Sequence, residues 1–224
     1  MVKTVKLFVE GGGDSNSLRT ECRAAFTAFL QKAGLSGHMP RIVASGSRKS
    51  AYDDFCTAIK SGTEAVLLVD SETAVVTPPG DTDYNVYDYR TWKPWYHLQN
   101  RTGQNGTVTD NWDKPSDTPD SDCHLMVESM ETWFLADIAA VKGFYGQRFR
   151  ESSLPSREDI ENIEKNNVMD ALEAATSTTS KGCYDKGNHS FKLLAIIDPA
   201  KVIRSSPWAK RFVELLTEKM QEEP

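Results

Sequence analysis

Glu10 stands at the end of a short apolar run, Val5-Lys6-Leu7-Phe8-Val9, and is followed at once by Gly11, Gly12 and Gly13. A buried strand fixes its last residue. Consecutive glycines let the chain turn through angles closed to other residues and let a cofactor, phosphate or metal come close. Glu10 is therefore expected at the mouth of a site, not in a core. The pattern recurs in Ala65-Val66-Leu67-Leu68-Val69, which runs into Asp70-Ser71-Glu72. Two acid-tipped strands side by side would gather Glu10, Asp70 and Glu72 into an oxygen-rich site for Mg²⁺ or Mn²⁺, with waters left for phosphate oxygens to displace. If the second strand continues through its acids, Asp70 and Glu72 share one face and Ser71 points away. Asp14, just past the glycines, either joins the metal ligands or caps the following helix.

Such a site needs rigid strands under it. Residues 2–9 read as the first strand, and a helix capped by Asn16 or Ser17 runs to about Lys32, with Leu18, Cys22, Ala25, Phe26, Phe29 and Leu30 at helical spacing. A strand at 41–44 leads through Gly46-Ser47-Arg48 into a helix over about 50–60, and further strands are expected at 64–69 and 124–127. Nearly all-apolar strands alternating with helices predict an α/β fold, with a mainly parallel four-stranded sheet flanked by helices. Residues 1–146 would form this domain, and 147–224 a mostly helical extension packed on it.

Between the third and fourth strands, residues 73–121 lack periodicity and form a long irregular insertion. Its aromatics Tyr84, Tyr87, Tyr89, Trp92, Trp95, Tyr96 and Trp112 either stack on bases or anchor the insertion to the body. Its many aspartates, Asp110 and Asp113 among them, argue against a groove that tracks a nucleic-acid strand. After the fourth strand, Glu128 and Glu131 fall one helical turn apart and can face the acidic edge, or serve as solvated helix residues. Helices interrupted near Asn166-Asn167 are expected over 157–176, a short apolar run over Phe191–Ile197, and a closing amphipathic helix from Pro207.

The chain has 224 residues and a formal net charge of -6, so general attraction to nucleic acid is weak and any such binding needs local basic groups or metal-bridged phosphates. Its four cysteines contain no C-x-x-C pair and its four histidines no H-x-x-x-H pair, which excludes the usual zinc patterns. Gly11-Gly12-Gly13 has neither the GxGxxG order nor a GK[ST] lysine, so a P-loop is excluded. No apolar run approaches the roughly 20 residues that span a bilayer, and no long apolar stretch marks a signal peptide; a cytoplasmic protein without membrane contact is expected.

The pairing of Val9-Glu10-Gly11 with Asp70-Ser71-Glu72 resembles the Toprim domain of topoisomerases, primases and overcoming-lysogenization-defect nucleases. There one strand ends in glutamate and glycine and a later one in D-x-D. Glu72 replaces the usual last aspartate with a longer arm. More of the chain resembles a Toprim-like bacterial family known as domain of unknown function 4276. The stretches that carry this are Phe8–Gly11, Gly46-Ser47-Arg48, Leu68–Glu72, His124–Val127, Met130–Asp137, Lys186-Gly187 with His189, and Ile197-Asp198-Pro199.

The resemblance implies phosphodiester cleavage with one or two Mg²⁺ ions. Glu10 would be a ligand or general base, Asp70 and Glu72 ligands, and Glu131 a further ligand, with Arg48 or Lys192 facing the phosphate. It implies a nucleic-acid substrate, DNA or transfer RNA, and an ATPase partner in phage defence; a homo-oligomer is compatible with it. Two other readings stay open: a noncatalytic Toprim-like subunit that binds a nucleotide or an ATPase, and a non-nuclease phosphotransfer enzyme.

Overall fold

Four short strands form one sheet: β1 (Lys6–Val9), β2 (Arg41–Ala44), β3 (Ala65–Asp70) and β4 (Cys123–Met126). Their order is β2-β1-β3-β4 and every pair is parallel. The computed structural model describes residues 4–221 apart from 104, 105 and 157. Residues 2 and 3 of the expected first strand, part of the insertion, the start of the expected 157–176 helices and the end of the expected extension thus lie outside the described residues.

Alternation along the central strands divides the core in two. Leu7, Val9, Val66 and Leu68 enter one cluster with Phe26, Phe29, Trp133 and Phe212. Phe8, Leu67 and Val69 enter the other with Phe55, Trp95 and Trp112. Because all six residues of β3 are buried, that strand is covered on both faces, as the helices of a parallel sheet require. Burying a side chain such as Phe29 or Leu68 contributes roughly 1.5–3 kcal/mol. The register places Val9 opposite both Ala44 and Leu68. β3 therefore runs past the end of β1 to Asp70, and both end at the edge where ligands of open α/β sheets bind.

Helices α1 (Asn16–Leu30) and α2 (Arg48–Lys60) follow β1 and β2. The cap of α1 is Ser15, whose hydroxyl accepts from the Leu18 N–H, in place of Asp14, Asn16 or Ser17. Ser47 caps α2 and starts it earlier than expected, with Arg48 as its first residue. Among the described residues the insertion carries one α-helix, α3 (Pro94–Asn100), with short 3₁₀ turns at Tyr89–Thr91 and Asp120–Asp122. Beyond β4, residues Met130–Asp137 wind as a 3₁₀ helix into α4 (Ile138–Tyr145). α5 (Lys165–Thr176) runs unbroken, so Asn166 and Asn167 belong to its first turn. The expected short apolar run at 191–197 is largely the second half of α6 (Lys186–Ile196), which packs on α1. α7 (Pro199–Ser205) and α8 (Pro207–Gln221) follow.

The insertion's tryptophans are used internally. Trp92, Trp95 and Trp112 are buried, Trp112 stacks on Tyr52 with centroids 4.7 Å apart, and Trp92 meets Trp208 at 4.6 Å. Arg211 of α8 binds the insertion to the sheet edge, donating to the carbonyls of Tyr89, Asp120 and Cys123. Among the described residues no helix is long and apolar enough to cross a membrane.

Candidate metal centre

The turn after β1 is built on glycine for two separate reasons. Gly11 pairs with Gly46 through reciprocal backbone hydrogen bonds of 2.8 and 3.0 Å, which ties the β1 turn to the β2 turn. At Gly12, with φ +87°, a Cβ would lie 2.7 Å from the Arg19 Cα. The missing side chains of Gly11 and Gly12 let α1 and α6 close onto the turn, since a Cβ on Gly11 would meet Phe191 at 2.8 Å. Only Gly13 of the three leaves open space.

Glu10 points from this turn toward β3, where one carboxylate oxygen accepts the Asp70 backbone N–H at 3.2 Å. Asp70 is 2% exposed, and its Oδ1 accepts from the Met130 N–H at 2.9 Å. β3 stops at Asp70, so Glu72 reaches the site by another route than a continued strand: it adopts φ +68°. That turn is held by its N–H on the Glu128 carbonyl at 2.8 Å and by His97. His97 Nδ1 accepts from the Val76 N–H at 3.0 Å, which leaves its Nε2–H to donate to the Ser71 carbonyl at 2.9 Å. Burial pushes the His97 pKa down to about 4, so the ring stays neutral in this role. Glu10, Asp70 and Glu72 each offer an oxygen, and these lie within 4.8 Å of one another.

Positive charge closes around the acids. Lys165, first residue of α5, places Nζ 2.8 Å from Glu72 and 3.7 Å from Asp70. Lys186, first residue of α6, stands 3.6 Å from Asp70 and 3.4 Å from Glu131. Burial works against the Lys186 ammonium, but Asp70, Glu131 and Glu10 hold its pKa above the usual lysine range. Burial, then the neighbouring Asp70 charge, pushes Glu10 up to about 8, against Lys186 and Arg48. Burial likewise takes Asp70 to about 6, with Lys186 opposing. Burial would also raise Glu72, yet the Lys165 hydrogen bond and charge hold it below its ordinary value.

The other expected site residues take different places. Arg48 is at the centre: Nε donates to the Asp70 carbonyl at 2.8 Å and lies 3.9 Å from Glu10, while Nη1 binds Asp110 at 2.8 Å. Asp110 is shared with Arg101, and the Arg48 guanidinium lies over Trp112. Glu131 is fully buried one layer behind the three acids, bonded to the Tyr184 hydroxyl at 2.9 Å and to Lys186; its carboxylate is outside the converging set. Glu128 turns away and accepts the Lys165 N–H. Asp14 is exposed and also outside that set. Lys192 is exposed on α6, and the lysine facing the acids is Lys186, six residues earlier on the same helix. Lys165, His97 and Asp110 carry no pattern that singles them out, and Lys186, though part of the Lys186-Gly187 stretch of the family resemblance, is not singled out by it as a site residue. The usable signal for Lys186 is its place directly after Asp185, the cap of α6.

Beside the acids opens a cavity of about 190 Å³, lined by the glycine turn, Glu10, Asp70, Lys186 and several apolar side chains. An all-parallel sheet whose two central strands deliver acids to one edge, faced by lysines from two helix starts, defines an α/β protein with a candidate acidic metal centre. The model of domain-of-unknown-function family DUF4276 matches residues 9–217, and the chain belongs to that family. Comparison with curated proteins and with solved structures gave no match.

Proposed function

We propose that this protein is a Mg²⁺- or Mn²⁺-dependent nuclease of the Toprim type, the cytoplasmic effector of a bacterial anti-phage system working with an ATPase partner. One observation carries the reading: Glu10, Asp70 and Glu72, from two adjacent strand ends, bring oxygens within 4.8 Å of one another. The donor set fits a hard divalent cation, being all carboxylate and partly open, with Glu10 and Glu72 only half-buried. Glu10-Gly11 directly after β1, beside β3 ending at Asp70 and followed by Ser71-Glu72, supports the Toprim resemblance.

A bound Mg²⁺ or Mn²⁺ supplies Lewis-acid polarisation of a phosphodiester oxygen and neutralises charge on the leaving oxygen. The chain's own residues do the rest. Asp70 is locked by the Met130 N–H and Glu72 by its turn, so the ligands are set before substrate arrives. Lys186 brings a half-exposed ammonium to the edge where the phosphate must lie, and Arg48 fixes the Asp70 carbonyl. Glu131, which accepts from the Tyr184 hydroxyl, holds Lys186 in place from behind.

A noncatalytic subunit that binds a nucleotide or phosphate is the second reading, favoured by Lys165 and Lys186 already pairing with Glu72 and Asp70. One assay separates them. Wild type and Glu10→Ala are incubated with single- and double-stranded DNA and with total RNA, in Mg²⁺, Mn²⁺ or chelator. Metal-dependent products from wild type alone support the nuclease. Equal products from both proteins sink this site, and nucleotide binding without products favours the second reading.

A further inference from the structure

The cavity beside the acids has the shape and chemistry of a specificity pocket. Its walls include Leu18, Met126, Met130 and Phe191. Met126, Met130 and Phe191 are 1%, 4% and 9% exposed, so the core holds three walls in place, while Leu18 is half-buried. An apolar cavity of about 150 Å³ takes up one benzene-sized ring. At about 190 Å³ this one has the volume for a single ring system and not for a base pair.

Polar groups are few and sit where a nucleotide would need them. Ser190 lines the cavity, and its hydroxyl, which donates to the Lys186 carbonyl at 2.5 Å, retains acceptor capacity. Glu10, Asp70 and Lys186 line the same cavity. A ring held inside and a phosphate at the acids therefore belong to one small unit. Apolar walls with a few placed polar groups are the ordinary make-up of a ligand pocket, and thioether and ring-edge contacts suit an aromatic occupant.

We propose that this cavity takes one unstacked nucleobase, belonging to the nucleotide whose phosphate lies at Glu10 and Asp70. The proposal rests on the nuclease reading and narrows its substrate to unpaired nucleotides, in single strands, loops or ends. A paired base reaches such a cavity only by leaving its stack.

The test is calorimetric titration with AMP, CMP and ribose 5-phosphate, with and without Mn²⁺, on wild type, Leu18→Trp and Leu18→Ala. Leu18→Trp narrows the cavity from its half-buried wall and leaves every acid in the sequence unchanged; Leu18→Ala opens it and keeps the assay informative if the larger side chain disturbs folding. Wild type is expected to bind AMP and CMP at least 10-fold more tightly than ribose 5-phosphate, and both variants to shrink that preference, Leu18→Trp to within about 2-fold. Equal or undetectable binding of the three ligands by wild type, or an unchanged preference in both variants, overturns the base pocket. A base preference without cleavage of any nucleic acid keeps the pocket and favours the noncatalytic reading over the nuclease. Equal cleavage of single and double strands with no base preference does the reverse.

Discussion

The Lys165 ammonium lies 2.8 Å from the Glu72 carboxylate and wires the first residue of α5 into the acids at the end of β3. The same ammonium stands 3.7 Å from Asp70. Glu72 is thus held by a cation that a divalent metal at the proposed centre would have to displace or share.

Replacing that cation should free the metal site. Lys165→Met removes a like charge from beside the ligands, and a unit charge near 4 Å at an effective dielectric of 20 is worth up to about 4 kcal/mol before screening. Mn²⁺ affinity should rise by on the order of 10-fold, measured by paramagnetic resonance titration. An unchanged or weaker affinity would show that Lys165 does not compete with the metal.

Two neighbouring glycines should respond differently. Gly12→Ala sets a Cβ 2.7 Å from the Arg19 backbone at φ +87°, and that backbone belongs to a packed helix. A loss of about 2–3 kcal/mol is expected in urea unfolding. Gly13→Ala meets nothing within 4 Å at φ +46° and should lose only about 1 kcal/mol.

Arg211 is buried, and its hydrogen bonds run to the carbonyls of Tyr89, Asp120 and Cys123 and to His124 Nδ1. Burial pushes its pKa down to about 10. Arg211→Met leaves those carbonyls unsatisfied, so stability should fall by about 3 kcal/mol or more. Limited proteolysis should then cut first within residues 73–121, the segment this arginine clamps.

Glu161 carries a pH-dependent contribution. It accepts from the Trp208 N–H at 2.9 Å and from the Ser206 hydroxyl, and burial pushes its pKa from 4.5 up to about 7 despite those bonds. The folded state holds this proton more tightly, so the contribution is full below pH 4.5 and is lost as pH rises through 7. The loss is on the order of 3 kcal/mol at most. Glu161→Gln should flatten the fall in stability between pH 4.5 and about 7, as read from urea midpoints; an identical pH profile in both proteins would contradict the assignment.

Much of the sheet was legible because β3 is buried on both faces and so reads as an unbroken apolar run up to Asp70, with mostly apolar strands beside it. Glu10 and Asp70 followed from the same logic, since the acid that ends a buried strand has only the sheet edge to occupy. Glu72 was found for an incomplete reason: alternation along a continuing strand predicted its direction, whereas a left-handed residue and His97 set it. Lys165 and Lys186 were not legible as site residues. Their approach depends on how α5 and α6 pack, which no local pattern encodes. The insertion's tryptophans took the structural of their two readings because Trp92, Trp95 and Trp112 had a core to enter. Glu131 was read from helical spacing, but the segment is a 3₁₀ helix, and its carboxylate turns to Tyr184 and Lys186.

Metal binding tests the centre without depending on substrate or partner. Mn²⁺ titration of wild type and Asp70→Asn, with folding of both checked by circular dichroism, addresses the residue on which Glu10, Met130, Lys165 and Lys186 converge. Since even outer-shell changes cost about 10–100-fold in metal affinity, Asp70→Asn should weaken Mn²⁺ binding at least about 10-fold. Equal Mn²⁺ affinity in the two folded proteins would contradict a metal centre at Glu10, Asp70 and Glu72.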